Sequence, residues 1–324
     1  MTNATFSDDA PRRVAGSPGA GGRVAHSVAR SVARFFLLLA AASVVIFTLL
    51  RAVPGDPARV ALGVNATDEA VAELSHRLGT DRPLTTQYFS WVGGLLTGDF
   101  GVSMSSGRSL SGTVWERTGV SLTLTFAAMA LALIVAIPLG VRLARRPSFA
   151  LDALTQIGIA VPSFLVGILT TALFSVRLGW LPANGWGTPA QAVLPVASLT
   201  LVQAAILTRY VRTAVAEEMG KDYVRTGRAQ GASLSNVLYS SVLRNAALPV
   251  LTVTGLQLST MVVGAVVIER VFAVPGLGSL LVDSVANRDL TAVQTVMMLL
   301  VAFTLAINLV VDMLYAVIDP RSRR

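Results

Sequence analysis

Six long apolar stretches, near residues 35–50, 120–141, 154–176, 190–207, 248–268 and 293–318, constrain this chain more than any other feature. A bilayer core about 30 Å thick calls for roughly 20 apolar residues per helix, because no water is there to satisfy a bare backbone. The first stretch is short for that task, and Arg34 and Arg51 at its ends are placed to snorkel toward the headgroups. Pro162 and Pro195 fall inside stretches, where neighbouring helices can satisfy the backbone groups they free. Only 14% of residues are charged, against about 25% in ordinary soluble domains. The expected fold class is therefore all-α: a polytopic membrane protein with six transmembrane helices.

The order of charges between the stretches sets an orientation. Residues 1–27 are rich in Gly, Ser, Pro and Ala with scattered arginines, and are expected to form a disordered tail. A signal peptide is the alternative, but its charged region would be unusually long. Arg142, Arg145 and Arg146 follow the second stretch, and Arg321, Arg323 and Arg324 end the chain. After the fourth stretch, Arg209, Arg212, Lys221, Arg225, Arg228 and Arg244 outnumber Glu217, Glu218 and Asp222. These basic segments alternate with 52–118, 177–189 and 269–292, which are acidic, balanced or nearly uncharged. The positive-inside rule then puts both termini in the cytoplasm. The division that follows is a cytoplasmic tail (1–34), a first helix with an outer segment (35–118), a membrane core (119–318) holding a cytoplasmic loop (209–247), and a short tail (319–324). The net charge of +8 points to anionic lipid rather than nucleic acid.

Several chemistries are excluded by composition. Lys221 is the single lysine, and the phosphate-cradling pattern fails around it because Val215 replaces the first glycine and Asp222 replaces the hydroxyl. ATP is not bound by that route. With no cysteine, and with His26 and His76 the only histidines, no thiolate metal site, zinc cluster or Ser/His pair can be assembled. No catalytic residue and no metal site is expected. Asp312 is the one carboxylate well inside a stretch, and an arginine or Asn308 is its expected structural partner. Pro275-Gly276-Leu277-Gly278 is expected to turn into a short helix, and Tyr88, Trp180 and Trp186 to be interfacial aromatics.

In the outer segment, Thr67 is placed to cap a helix that Gly79 stops. Tyr88, Trp91, Val92 and Leu95 then recur at helical spacing up to Gly98. A structural cap over the bundle is the favoured role, with direct ligand contact as the alternative.

The loop after the fourth stretch is long and full of helix punctuation. Val211, Val215, Met219 and Tyr223 share a face, so the fourth helix is expected to run out past the membrane. Gly220 weakens it, and Asp222 is expected to cap a second helix from Tyr223 carrying Arg225, Thr226, Gly227, Arg228 and Ala229. Gly231 is expected to stop that helix in a left-handed conformation. Ser233 would cap a third, with Leu234, Val237, Leu238 and Val242 inward. A short helix with small residues (Gly227, Ala229, Gly231) suits insertion into a groove. The alternative is a helix lying on lipid headgroups, against which its thin apolar side (Tyr223, Val224, Ala229) argues.

DYVRTGRAQG and LRNAALPVLT in this loop resemble the cytoplasmic coupling loop of binding-protein-dependent ABC importer permeases, in the dipeptide/oligopeptide/nickel branch. VPGDPARVALG (53–63), DRPLTTQYFSWVGGLLTGDFGVS (81–103), AVPSF (160–164), ERVFAVPGLGSLLVDSVANRDLTAVQ (269–294) and NLVVDMLYAVIDPRSR (308–323) resemble it too, so the likeness covers almost everything after residue 27. The branch usually has Ala, Lys and His where this chain has Gly227, Gln230 and Ser241. The resemblance implies the type I ABC importer permease fold and a place in the bacterial cell membrane. It implies a second homologous permease, an extracytoplasmic solute-binding protein and two cytoplasmic ATPases that would hold ATP and magnesium, with no cofactor on this chain. The helix carrying Asp222, Tyr223, Arg225, Thr226, Gly227, Arg228, Ala229 and Gly231 would be the ATPase-coupling element. The implied cargo is peptides, with nickel or another small solute as the alternative. A self-sufficient ion-coupled transporter is disfavoured by the lone buried carboxylate and the lack of a visible inverted repeat.

Overall fold

The computed structural model describes residues 20–52, 57–62 and 66–318. Helix α1 (Ala20–Arg51) is followed by three short helices, α2 (Pro57–Leu62), α3 (Asp68–Leu78) and α4 (Leu84–Thr97). The core then runs α5 (Ser111–Arg145), α6 (Phe149–Ala160), α7 (Ser163–Thr170, continued by a π-helical stretch Thr171–Arg177) and α8 (Pro189–Met219). It closes with α9 (Asp222–Ala229), α10 (Leu234–Val237), α11 (Leu243–Val271), α12 (Leu277–Ala286) and α13 (Leu290–Ile318). A π-helical turn, Leu238–Val242, joins α10 to α11 without a break in the rod. The described residues are helical apart from turns and one isolated bridge between Val102 and Ser109.

Two boundaries differ from expectation. The first helix begins at Ala20, inside the stretch expected to be a disordered tail. Among the described residues, five helices are long and apolar enough to cross a membrane, and the third expected span is not one rod but a pair, Phe149–Ala160 and Ser163–Arg177, bent by 103°. The cause is local. Pro162 drives Val161 out of the helical region, to φ −88° and ψ 121°, because its ring crowds the preceding residue. Counted as one span, the pair brings the total to six.

The centre of the bundle is the packing of α5 on α8, with α11 across them. Ala128, Ala132 and Ala136 repeat every four residues on α5 and are fully buried against Leu194, Leu199 and Leu207 of α8 and Met261 and Ile268 of α11. Lipid is as apolar as leucine, so small residues hold such helices together by letting them approach and pack. Gly140 continues the stripe one turn on: a Cβ there would lie 2.7 Å from Val211 Cβ and 2.9 Å from the Thr208 carbonyl oxygen. Backbone cannot yield as a flexible side chain would. Gly140→Val should therefore lower stability by about 1–3 kcal/mol through overpacking, read as a lower unfolding temperature in detergent. An unchanged temperature would show that α5 and α8 are not this close.

On the flank, α1 packs along α13. Tyr88 of α4 shares a hydrogen bond with Ser43 (2.8 Å), and Phe47 packs edge-on against Tyr88 and stacked on Trp91, so the outer helix is pinned to α1 by aromatic contacts. Thr67 caps α3 by accepting from the Ala70 N–H, and Gly79 and Gly98 end α3 and α4 in left-handed conformations, as expected. Trp186 packs on the core, while Trp180 is exposed.

Candidate functional site

The loop between α8 and α11 forms a small core of its own. Val141 of α5 meets Val211, Ala214 and Val215 of α8, Val224 of α9, and Val237, Leu238 and Val242. Burying this cluster fixes the short helix α9, which eight residues could not hold as a helix alone. Ser233 caps the following helix by accepting from the Asn236 N–H (3.2 Å), as expected, and Val237, Leu238 and Val242 point inward with Leu234 half-buried. Tyr223 ties α9 back to α8: its hydroxyl donates to Glu218 (2.8 Å), which also pairs with Lys221. Burial, with the Glu218 carboxylate adding, pushes the Tyr223 phenol above its ordinary range, so it remains a donor at neutral pH.

The helix begins one residue earlier than expected. Lys221 occupies the cap position without a side-chain bond, and Asp222 is the first helical residue rather than the cap. Asp222 still sits favourably at the positive end of the helix. Its 3.5 Å contact with Arg225 joins two highly exposed side chains and contributes little. At the other end, Gly231 adopts φ +92°, its N–H bonding the Arg228 carbonyl (3.0 Å) while Ala232 N–H bonds that of Gly227 (3.2 Å). This is a Schellman stop, and it fixes where α9 ends.

The site residues expected from sequence divide between two faces. Val224 is buried and Tyr223 and Gly227 are half-buried on the inner side, where a Cβ on Gly227 would stand 3.3 Å from Val237. Gly227 thus packs closely within the loop. Asp222, Arg225, Thr226 and Ala229 follow the i, i+3, i+4, i+7 spacing and are all exposed, with Arg228 and Gly231 beside them. The outward face is polar, positively biased and flat at Ala229, the shape of a docking surface rather than of a helix sunk in lipid.

The intramembrane pair is not brought together. Asn308 meets Ser259 (3.4 Å), whereas Asp312 makes no hydrogen bond or ion pair among the described residues, so the expected partnership does not form. Both line a groove with Arg34 of α1. Asp319 lies outside the described residues.

Two carboxylates that the sequence did not single out organise the opposite end of the molecule. Glu269, 1% exposed, accepts from Ser121 Oγ of α5 (2.6 Å) and from the Ser279 N–H of α12 (2.9 Å). Ser121 Oγ accepts in turn from the Leu277 N–H (2.8 Å). The N-terminus of α12, whose cap residue Gly276 has no side chain, is therefore capped by groups from two other helices. Gly276 leaves the room: a Cβ there would come within 2.2 Å of the Glu269 carboxyl. Asp289, also buried, accepts from Ser103 Oγ, Ser105 Oγ (3.1 Å) and the N–H groups of Met104 and Ala292 (3.1 Å each), latching the outer segment to the start of α13. Carboxylates at the ends of apolar stretches look interfacial in a sequence. Only the return of α12 and of residues 99–110 over them buries these two.

Comparison with known proteins gives one consistent picture. The family described as binding-protein-dependent transport system inner membrane component matches residues 128–324, and its N-terminal companion matches residues 24–125. A probable peptide ABC transporter permease protein, y4tP, from Sinorhizobium fredii is 35% identical over 308 residues, covering 91% of this chain and 98% of its own length. The glutathione transport system permease protein GsiC of Escherichia coli (strain K12) is 38% identical over 285 residues, covering 87% of this chain and 93% of its own. Among solved structures, a chain of the MetNI methionine ABC transporter in inward-facing conformations aligns at TM-score 0.56 and 18% identity, over 65% of this chain and 98% of that one. At that identity the likeness concerns the fold.

Proposed function

The chain belongs to the family of binding-protein-dependent transport system inner membrane components, and from that premise we propose how it works as the permease subunit of an ATP-driven importer of peptides. It is a multi-pass inner-membrane protein, and its family pairs such subunits with ATPase and solute-binding components. The observation that carries the finer reading is α9: a capped, length-fixed helix whose inner face is packed and whose outer face, Asp222, Arg225, Thr226 and Ala229, is left open. The α9 helix docks on a cytoplasmic ATPase, which places the loop and both termini inside the cell. Two ATPases bind the ATP and magnesium, and a second homologous permease completes the pathway. Peptides, delivered by a solute-binding protein, are the cargo, since the relatives carry the names of peptide and glutathione permeases.

Uptake tests this directly. Cells carrying the complete transporter should accumulate labelled di- and tripeptide in an ATP-dependent way, and deletion of this chain alone should abolish it. Uptake of nickel with indifference to peptide would overturn the cargo. Uptake by the purified chain alone in proteoliposomes, driven by a proton or sodium gradient, would overturn the mechanism.

A further inference from the structure

A cleft of about 280 Å³ lies where the outer helices meet the ends of α1 and α13, away from α9. Its lining is unusual in charge. Arg51, Arg77 and Arg82 face it against the single carboxylate of Asp99, and none of the three arginines makes an ion pair with a described residue. Asp99 is already engaged, one oxygen accepting from the Gly101 N–H (3.1 Å). Arg51 is held in place over the Phe47 ring, 5.4 Å from its centroid.

Three polar atoms around this cleft are buried and lack a hydrogen-bond partner among the described residues: Arg51 Nε, Trp91 Nε1 and Gln87 Oε1. Gln87 is fixed, because its amide N–H groups donate to the Thr80 and Arg82 carbonyls (3.0 and 2.7 Å), which turns its oxygen away from them. Few buried polar groups in folded proteins stay unsatisfied, since each costs about 1–3 kcal/mol. Three at one cleft, two donors and one acceptor, suit a ligand that accepts at one side and donates at the other.

We propose that this cleft binds a small zwitterion: a carboxylate or phosphate held by Arg51, Arg77 and Arg82 with the Trp91 N–H, beside an N–H donor held by Gln87 Oε1. Planar guanidiniums suit either oxyanion, and Gln87 Oε1 is an acceptor for an N–H of the same molecule. Two sources carry that chemistry, a free amino acid or dipeptide and the ethanolamine phosphate headgroup of a phospholipid. The proposal stands on the cleft alone and does not depend on the transport reading.

The full chain, purified in detergent and stripped of lipid, would be titrated calorimetrically with glycylglycine. In parallel it would be placed in phosphatidylcholine nanodiscs containing phosphatidylethanolamine, and the lipids retained on re-extraction counted by mass spectrometry. Saturable glycylglycine binding identifies a solute site, and selective retention of phosphatidylethanolamine identifies a headgroup site. Either should weaken by at least about tenfold in Arg51→Gln. Trp91→Phe keeps an aromatic ring beside Phe47 and removes the N–H, and an unfolding temperature close to the wild type's shows that a weakening there is lost binding and not misfolding. Neither probe binding the wild type, or both variants binding as well as it does, would overturn the site.

Discussion

Ala229→Glu should abolish ATP-driven uptake while leaving the protein folded and abundant in the membrane. Ala229 is exposed on the outward face of α9, so the glutamate meets water in the isolated chain and costs only the few tenths of a kcal/mol of a weaker helix former. In the proposed complex the same side chain would be pressed into the ATPase groove. Burying an unpaired carboxylate there costs several kcal/mol, and uptake should fall by more than about tenfold. Gly227→Leu serves as the contrast. It faces Val237 inside the loop, where a Cβ already stands at 3.3 Å, so that variant should fail by loosening the loop, with a lower unfolding temperature. Ala229→Glu cells that take up peptide normally would remove α9 from the coupling role.

The second large effect belongs to Glu269. Glu269→Ala removes the group that accepts from Ser121 and from the α12 backbone, leaving buried donors unsatisfied and a cavity between three helices. Loss of a cap and of a buried side chain together should cost about 3 kcal/mol. Glu269→Gln retains a carbonyl oxygen and the volume, and should recover a large part. Unfolding in detergent reads both. Equal stability of the two variants would show that shape, not capping, holds α12 in place.

Much of this architecture was legible in the residues. The Thr67 and Ser233 caps and the Gly79, Gly98 and Gly231 stops depend on neighbours within a few positions, and all of them form where the chemistry of the local sequence puts them. Helix α9 was readable for the same reason, to within one residue. What the residues alone did not show is non-local. Whether Pro162 is absorbed or fractures its span depends on the helices around it, and here it fractures. That Gly227 packs toward Val237 follows from how the loop folds back on itself. Glu269 and Asp289 became buried because chain from far along the sequence closes over them. Asp312 failed in the opposite sense, since the neighbours expected to reach it lie in the same groove without bonding it.

The bend at Val161–Pro162 has a mechanical corollary. Two short rods joined at 103° cannot carry thrust along a common axis, whereas α8, with 31 residues, is roughly 45 Å of unbroken rod. The rod Leu234–Val271 is longer still, at 38 residues, and α8 and α11 pack against each other. Together they form a stiff two-legged fork with α9 at its yoke. A push on the yoke arrives at the far tips as a tilt, with little lost to bending, and the tip of one leg is where Glu269 grips α12.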